Sequence, residues 1–187
     1  MQIDGKNERG LCLRALLALV LLPAGLSAGE SVPSPSAVDP SSFNVRIAEE
    51  MDAALVRRAV SGAFRSLGDA RCQGVLNDFH DDAGHTLASN LETFGKTPQE
   101  YLRYVLFYDG SSTPACKGPI SKDVFAASKT GSRVILICLP QFRAAQRRAP
   151  YHGEAVVIHE MLHSLGLGEN PPTSEAITRR VMAACAR

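Results

Sequence analysis

The stretch "HEMLHSLGLGENPP", His159 to Pro172, indicates the architecture expected of this chain. It opens with two histidines four residues apart. On an α-helix that spacing places both imidazole rings on one face, a turn apart, where they can hold one metal ion. Glu160 lies beside His159, where a carboxylate can take a proton from metal-bound water. Gly166 can adopt the positive φ that ends a helix and turns the chain back towards the metal. The stretch therefore predicts a helix that carries a metal site and ends next to it.

A catalytic zinc site needs a third protein ligand. Downstream of His163 the sequence contains two carboxylates, Glu169 and Glu175, and no histidine. We favour Glu169, because a carboxylate oxygen is an accepted zinc ligand and the turn "GLGEN" can absorb the longer side chain. Glu175 stands at the predicted start of the last helix, where pairing with the helix dipole is a sufficient role.

An upstream ligand such as His152 or His80 is a further alternative. The prediction is one Zn²⁺ ion held by His159, His163 and Glu169, with Glu160 as the general base.

The segment "HEMLHSLGLGE" resembles the zincin metallopeptidases, and within them the metzincin pattern H-E-x-x-H-x-x-G-x-x-[H/D], with Glu169 at the final position. "RVILICLPQF", residues 133–142, looks like the strand and cysteine that precede the metal helix in some secreted zincins. The resemblance implies a small secreted protein of bacterial type with a zincin-like fold and metal-dependent peptide hydrolysis. By the same resemblance, His159 and His163 are ligands and Glu160 is the general base. Met182 falls inside the predicted C-terminal helix, so we expect it to pack in the core rather than to form a metzincin methionine turn.

The N-terminus has the pattern of an export signal. Lys6, Arg9 and Arg14 precede an apolar run, residues 15–28, that is short for a membrane span and ends in small residues. We predict a signal peptide over residues 1–28, with an uncleaved anchor as the alternative. Residues 29–43 are rich in Pro and Ser and predict a linker. Residues 44–187 are then the zincin-like metallopeptidase domain, located in the periplasm or outside the cell.

Charge limits the classes of partner. The first 28 residues carry three of the 20 basic and two of the 19 acidic residues, so residues 29–187 carry seventeen of each. A chain without net charge has no electrostatic reason to bind nucleic acid, or a membrane once the signal is removed. The expected partner is a peptide or protein substrate, and the expected state is a monomer.

Four cysteines follow the predicted signal: Cys72, Cys116, Cys138 and Cys185. An even number behind an export signal predicts two disulfides, which can be connected in three ways. We favour Cys138–Cys185 with Cys72–Cys116, because the first bond would fix the C-terminal helix beside the strand that precedes the metal helix.

Hydrophobic periodicity predicts an α+β domain. A helix is expected from about Asn44, with Met51, Leu55, Ala59 and Phe64 near one face. Thr97, Pro98 and Glu100 are typical of a helix start. The metal helix is expected over residues 151–165, and a final helix from Thr173 or Ser174.

Short strands are predicted in "YVLFYDG", "DVFAAS" and "SRVILICL". The run Val134–Ile137 does not alternate in polarity, so that strand is expected to be buried on both faces. The fold predicted from these elements is a small zincin-like domain with a short sheet, a metal-binding active-site helix and a C-terminal helix.

These patterns favour an exported zinc-dependent hydrolase, a metallopeptidase in which Glu160 activates zinc-bound water to cleave peptide bonds. The alternative is a catalytically inactive zincin-like protein that binds a metal or a partner.

Overall fold

A computed structural model describes residues 38–117, 123–169 and 171–186. The predicted signal peptide and the first part of the predicted linker, residues 29–37, lie outside the described residues. The α+β class is confirmed. The strands are β1 (Asn44–Arg46), β2 (Leu106–Asp109), β3 (Ala126–Ser128) and β4 (Val134–Ile137). The helices are α1 (Glu50–Ser66), α2 (Ala70–Gln73), α3 (Val75–Asp78), α4 (Leu87–Thr93), α5 (Pro98–Tyr104), α6 (Pro114–Lys117), α7 (Leu139–Arg148), α8 (Pro150–Ser164) and α9 (Ser174–Cys185).

The strands form one mixed sheet in the order β1-β2-β4-β3. β1, β2 and β4 are parallel, whereas β3 runs antiparallel to β4 at the edge of the sheet. α8 packs beside β3, and α1, α7 and α9 pack around α8. The edge strand β3 therefore borders the helix that carries the predicted metal ligands.

The strand β4 is buried on one face rather than on both, so that prediction was wrong. Ile135 and Ile137 have no exposed surface, whereas Val134 is exposed and Leu136 is half-buried. The apolar side chains of a strand point alternately to its two faces, and here the second face is only partly covered. An unbroken apolar run does not by itself show that a helix covers each face.

The residues from Asn44 form a strand and not the predicted helix. Phe43, at the end of the predicted linker, is buried together with Val45 and Ile47, and these alternate residues give the period of a strand. The helix α1 begins only at Glu50. Met51 is 79% exposed, because it lies about 200° around the helix from the buried Ala53.

The starts of two other helices were predicted correctly from their capping residues. The predicted capping box is present, with reciprocal hydrogen bonds between Thr97 and Glu100 at the start of α5. Thr173 caps α9, which begins at Ser174 as predicted. Met182 packs against the core from within α9.

Two disulfides are confirmed, but the predicted connectivity was wrong. The bonds are Cys72–Cys185 and Cys116–Cys138. The end of α9 packs against α2, which brings Cys185 to Cys72. Cys138 follows β4 directly, and α6, which carries Cys116, contacts β3, the strand next to β4. Paired cysteines are typical of proteins in oxidising compartments.

Within the described residues, no helix combines the length and the apolar character that crossing a membrane requires.

Candidate metal centre

The helix α8 is held by burial rather than by intrinsic helix propensity. Every residue from Ala155 to Leu165 is buried, including the β-branched Val156 and Val157. β-branched residues disfavour helix, so tertiary packing must supply the stability. Packing on several sides fixes α8 and with it the direction of its polar side chains.

Three predicted ligands meet at the end of α8. The Nε2 atoms of His159 and His163 lie 3.0 Å apart. Glu169 Oε1 lies 3.3 Å from His163 Nε2 and 3.7 Å from His159 Nε2. Both histidines are buried, at 5% and 6% exposure, while Glu169 is exposed. These three side chains form a group that can hold a metal ion.

A tight turn returns the chain to this group. Gly166 has φ +113°, the positive value predicted for it, and an L side chain there would be strained. The Leu167 N–H donates to the Leu162 carbonyl, and the buried Leu167 side chain pins the turn to the core. Glu169 follows two residues later and so faces the histidines.

A side chain of α4, Asn90, also holds this turn through hydrogen bonds. Asn90 Nδ2 donates to the Leu165 carbonyl at 3.0 Å and to Asp81 Oδ2 at 2.9 Å. The hydrogen bond from Asn90, and then that from the His85 backbone, lowers the pKa of Asp81 to about 2. Asp81 is therefore a charged acceptor at neutral pH, and it anchors the amide that holds the helix end.

The second nitrogen of each imidazole is bound by the fold. His163 Nδ1 lies 2.8 Å from the Leu167 carbonyl oxygen. A carbonyl can only accept, so this contact requires the proton on Nδ1, and in the neutral ring the lone pair is then on Nε2. His159 Nδ1 lies 2.9 Å from the Thr178 hydroxyl of α9. Such partners fix the ring orientation of metal-binding histidines.

Burial, and then the neighbouring His163, lower the pKa of His159 to about 4, although Glu169 opposes the shift. Burial disfavours the charged imidazolium. The ring is therefore neutral at pH 7, which is the form that can bind a metal.

Glu160 is 7% exposed and lies beside the group. The Ser128 hydroxyl of β3 donates to Glu160 Oε2 at 2.6 Å. The pKa of Glu160 is raised, chiefly by burial and also by the nearby Glu169, although the hydrogen bond from Ser128 and the proximity of His163 oppose the shift. The carboxylate is thus in a largely dry environment with one hydroxyl to stabilise its charge.

These side chains open into a cleft of about 1090 Å³ between β3, α8 and α9. A smaller cavity of about 430 Å³ shares Asp123, Phe125 and His152 with it. The polar group lines the cleft together with apolar residues, among them Val124, Phe125, Ala127, Val156 and Met182.

The alternative ligands stand apart from the group. Glu175 lines the cleft but pairs with Arg179 at 2.9 Å, and both side chains are exposed. His152 lies two turns before His159 on α8, edge-on against Phe125. His80 is exposed in the bridge to Thr86.

Ser128 and Thr178 were not predicted from the sequence as part of this centre. They lie 32 residues before Glu160 and 19 residues after His159, on separate elements. No spacing rule connects them to the motif, and only the packing of β3 and α9 on α8 brings them to it.

No family model matches the chain, and neither a curated protein nor a solved structure matches it.

Proposed function

We propose that this protein is an exported zinc-dependent hydrolase, specifically a metallopeptidase of zincin type. One observation carries the proposal: two imidazole nitrogens and one carboxylate oxygen converge within 3.7 Å of one another beside a buried glutamate. His159, His163 and Glu169 would hold one ion, and Glu160 would act as the general base.

The donor set and its spacing favour zinc. Ligand atoms on a tetrahedral zinc ion with bonds of about 2.0–2.1 Å are separated by about 3.3–3.4 Å. The three separations here are 3.0, 3.3 and 3.7 Å, and they bracket that value. Two imidazoles also disfavour the hard cations Ca²⁺ and Mg²⁺, which prefer oxygen ligands. Three protein ligands are the number typical of catalytic rather than structural zinc sites.

When bound, a zinc ion supplies Lewis acidity and lowers the pKa of water. The protein supplies the proton acceptor. Glu160 takes a proton from the attacking water and delivers it to the leaving amine. Its low exposure strengthens the interaction of its carboxylate with nearby dipoles and charges.

The geometry of the cleft supports a peptide as substrate. β3 is an edge strand, and it lines the cleft along with the segment that precedes it. An extended peptide can add to such an edge through backbone hydrogen bonds, with side chains in flanking pockets. The disulfides support export to the periplasm or beyond the cell.

The first test is metal content. The full chain is exported into an oxidising compartment and purified beside Glu169→Ala and Glu175→Ala, two substitutions of the same type in one cleft. We expect one zinc per chain in the parent and in Glu175→Ala, and none in Glu169→Ala. A well-folded parent without zinc would overturn the proposal.

Glu160→Gln then separates a hydrolase from a metal-binding protein. This substitution removes the base and keeps both imidazoles, so zinc content should stay at one per chain. Cleavage of fluorescein-labelled casein should fall by about 10²–10⁴-fold, the usual contribution of a general base. Equal rates in the parent and Glu160→Gln would favour the alternative of an inactive metal-binding or partner-binding protein.

A further inference from the structure

We propose that Ser128 is a positioning residue for Glu160: its hydroxyl fixes one carboxylate oxygen and leaves the other to accept the proton from water. This inference rests on the proposed function and deepens it, because it assigns a role to a residue of the edge strand that the metal-binding motif does not contain.

The sheet fixes the hydroxyl in place. Ser128 pairs with Ile135 of β4 in the antiparallel ladder. Ala126 and Ser128 share one face of β3, since alternate residues of a strand point the same way. Ala126 is buried on that face, and Ser128 meets α8 there. The position of the oxygen is thus set by backbone pairing rather than by a mobile loop.

The hydroxyl is directed at Glu160 alone. Its oxygen lies 2.6 Å from Glu160 Oε2 and 3.5 Å from the Glu160 carbonyl oxygen. A hydroxyl has one proton to donate, and the shorter contact is the one that receives it. The ladder with β4 uses backbone groups only, so the side-chain oxygen is not needed to hold β3 in the sheet.

Across the described part of the chain, Ser128 is the one hydrogen-bond donor to this carboxylate. A buried acceptor that loses its single partner is left unsatisfied, and the carboxylate is then free to rotate. A base must lie within hydrogen-bond reach of the proton that it takes. A displacement of about 1 Å can cost about 10²-fold in rate. Orientation of Glu160 is therefore the property that Ser128 controls.

The test compares Ser128→Ala with Ser128→Thr, which keeps a hydroxyl and suits a strand. Ser174→Ala is the matched control, since Ser174 is another hydroxyl of the same cleft. One probe is acetohydroxamic acid, which chelates zinc as an anion after giving its proton to a neighbouring base. The second is kcat and KM on fluorescein-labelled casein, measured with zinc content and melting temperature.

We expect kcat of Ser128→Ala to fall about 10- to 100-fold with KM within about twofold. Its dissociation constant for acetohydroxamic acid should rise at least about fivefold, with zinc at one per chain. Ser128→Thr and Ser174→Ala should remain within about threefold of the parent on both probes.

Three results would overturn the inference. Ser128→Ala could behave like Ser174→Ala, Ser128→Thr could lose as much as Ser128→Ala while remaining folded, or a change in KM alone could account for the loss. Failure of the proposed function is seen separately, in the parent. A parent that binds no zinc, or that cleaves casein no faster than Glu160→Gln, fails before any Ser128 variant is compared.

Discussion

Each histidine of the centre directs one ring nitrogen at the His159–His163–Glu169 group and binds the fold through the other. The Leu167 carbonyl orients His163, and the Thr178 hydroxyl orients His159. The first partner is a backbone group that substitution cannot remove. The second is a side chain on α9, so it is accessible to a direct experiment.

Thr178→Val should lower zinc affinity about 10- to 100-fold, the usual cost of losing an outer partner of a metal-binding histidine. Valine keeps the shape of threonine and removes only the hydrogen bond to His159 Nδ1. Thr178→Ser restores the hydroxyl and should bind zinc within a few-fold of the parent. Competition with a chromophoric chelator measures both affinities, and identical dissociation constants for Thr178→Val and the parent would show that the contact does not orient the ring.

Among the helices and strands, the sequence predicts correctly those whose ends are determined by nearby residues. Residues typical of helix ends occur in α8, at the Gly166 turn and at the start of α9. These features lie within one residue of their predicted positions. β1 has only three residues, and its alternation is too short to outweigh the helical pattern that follows. The apolar run of β4 reports hydrophobicity but not which face is covered.

The disulfide connectivity was mispredicted because it depends on packing between distant elements. Cys185 reaches Cys72 through the contact of α9 with α2, which no local pattern encodes. The same bond ties α9, which carries Thr178, to α2.

The two disulfides should contribute unequally to stability. Cys72–Cys185 has a sequence separation of 113 and Cys116–Cys138 one of 22. In the chain-entropy model the longer loop gives about 1.5 kcal/mol more stabilisation. We expect Cys72→Ser/Cys185→Ser to lose more free energy of unfolding in urea than Cys116→Ser/Cys138→Ser, by about that amount. Equal losses would mean that native-state packing, not loop closure, sets the contribution of each bond.

Across the whole molecule, the centre joins segments that are far apart in sequence. α8 supplies the two imidazoles and Glu160, the following turn supplies Glu169, β3 supplies Ser128 and α9 supplies Thr178. The motif predicts the first two contributions because they lie within eleven residues. The contributions of β3 and α9 depend on the order of strands in the sheet and on the packing of the last helix. They could therefore be identified only from the three-dimensional structure.

Because these segments meet only in the native state, zinc should stabilise the whole domain and not the metal helix alone. Free zinc at a hundred times its dissociation constant adds about 2.7 kcal/mol to the free energy of unfolding when the unfolded chain does not bind it. The disulfides support that condition, since oxidised cysteines cannot ligate zinc in the unfolded chain. Urea titrations with zinc and with EDTA should differ by this amount in the parent and in Glu175→Ala, and not in Glu169→Ala. Stabilisation of Glu169→Ala as large as that of the parent would place the ion outside the His159–His163–Glu169 group, because the loss of one ligand of three would otherwise weaken binding and remove the linkage.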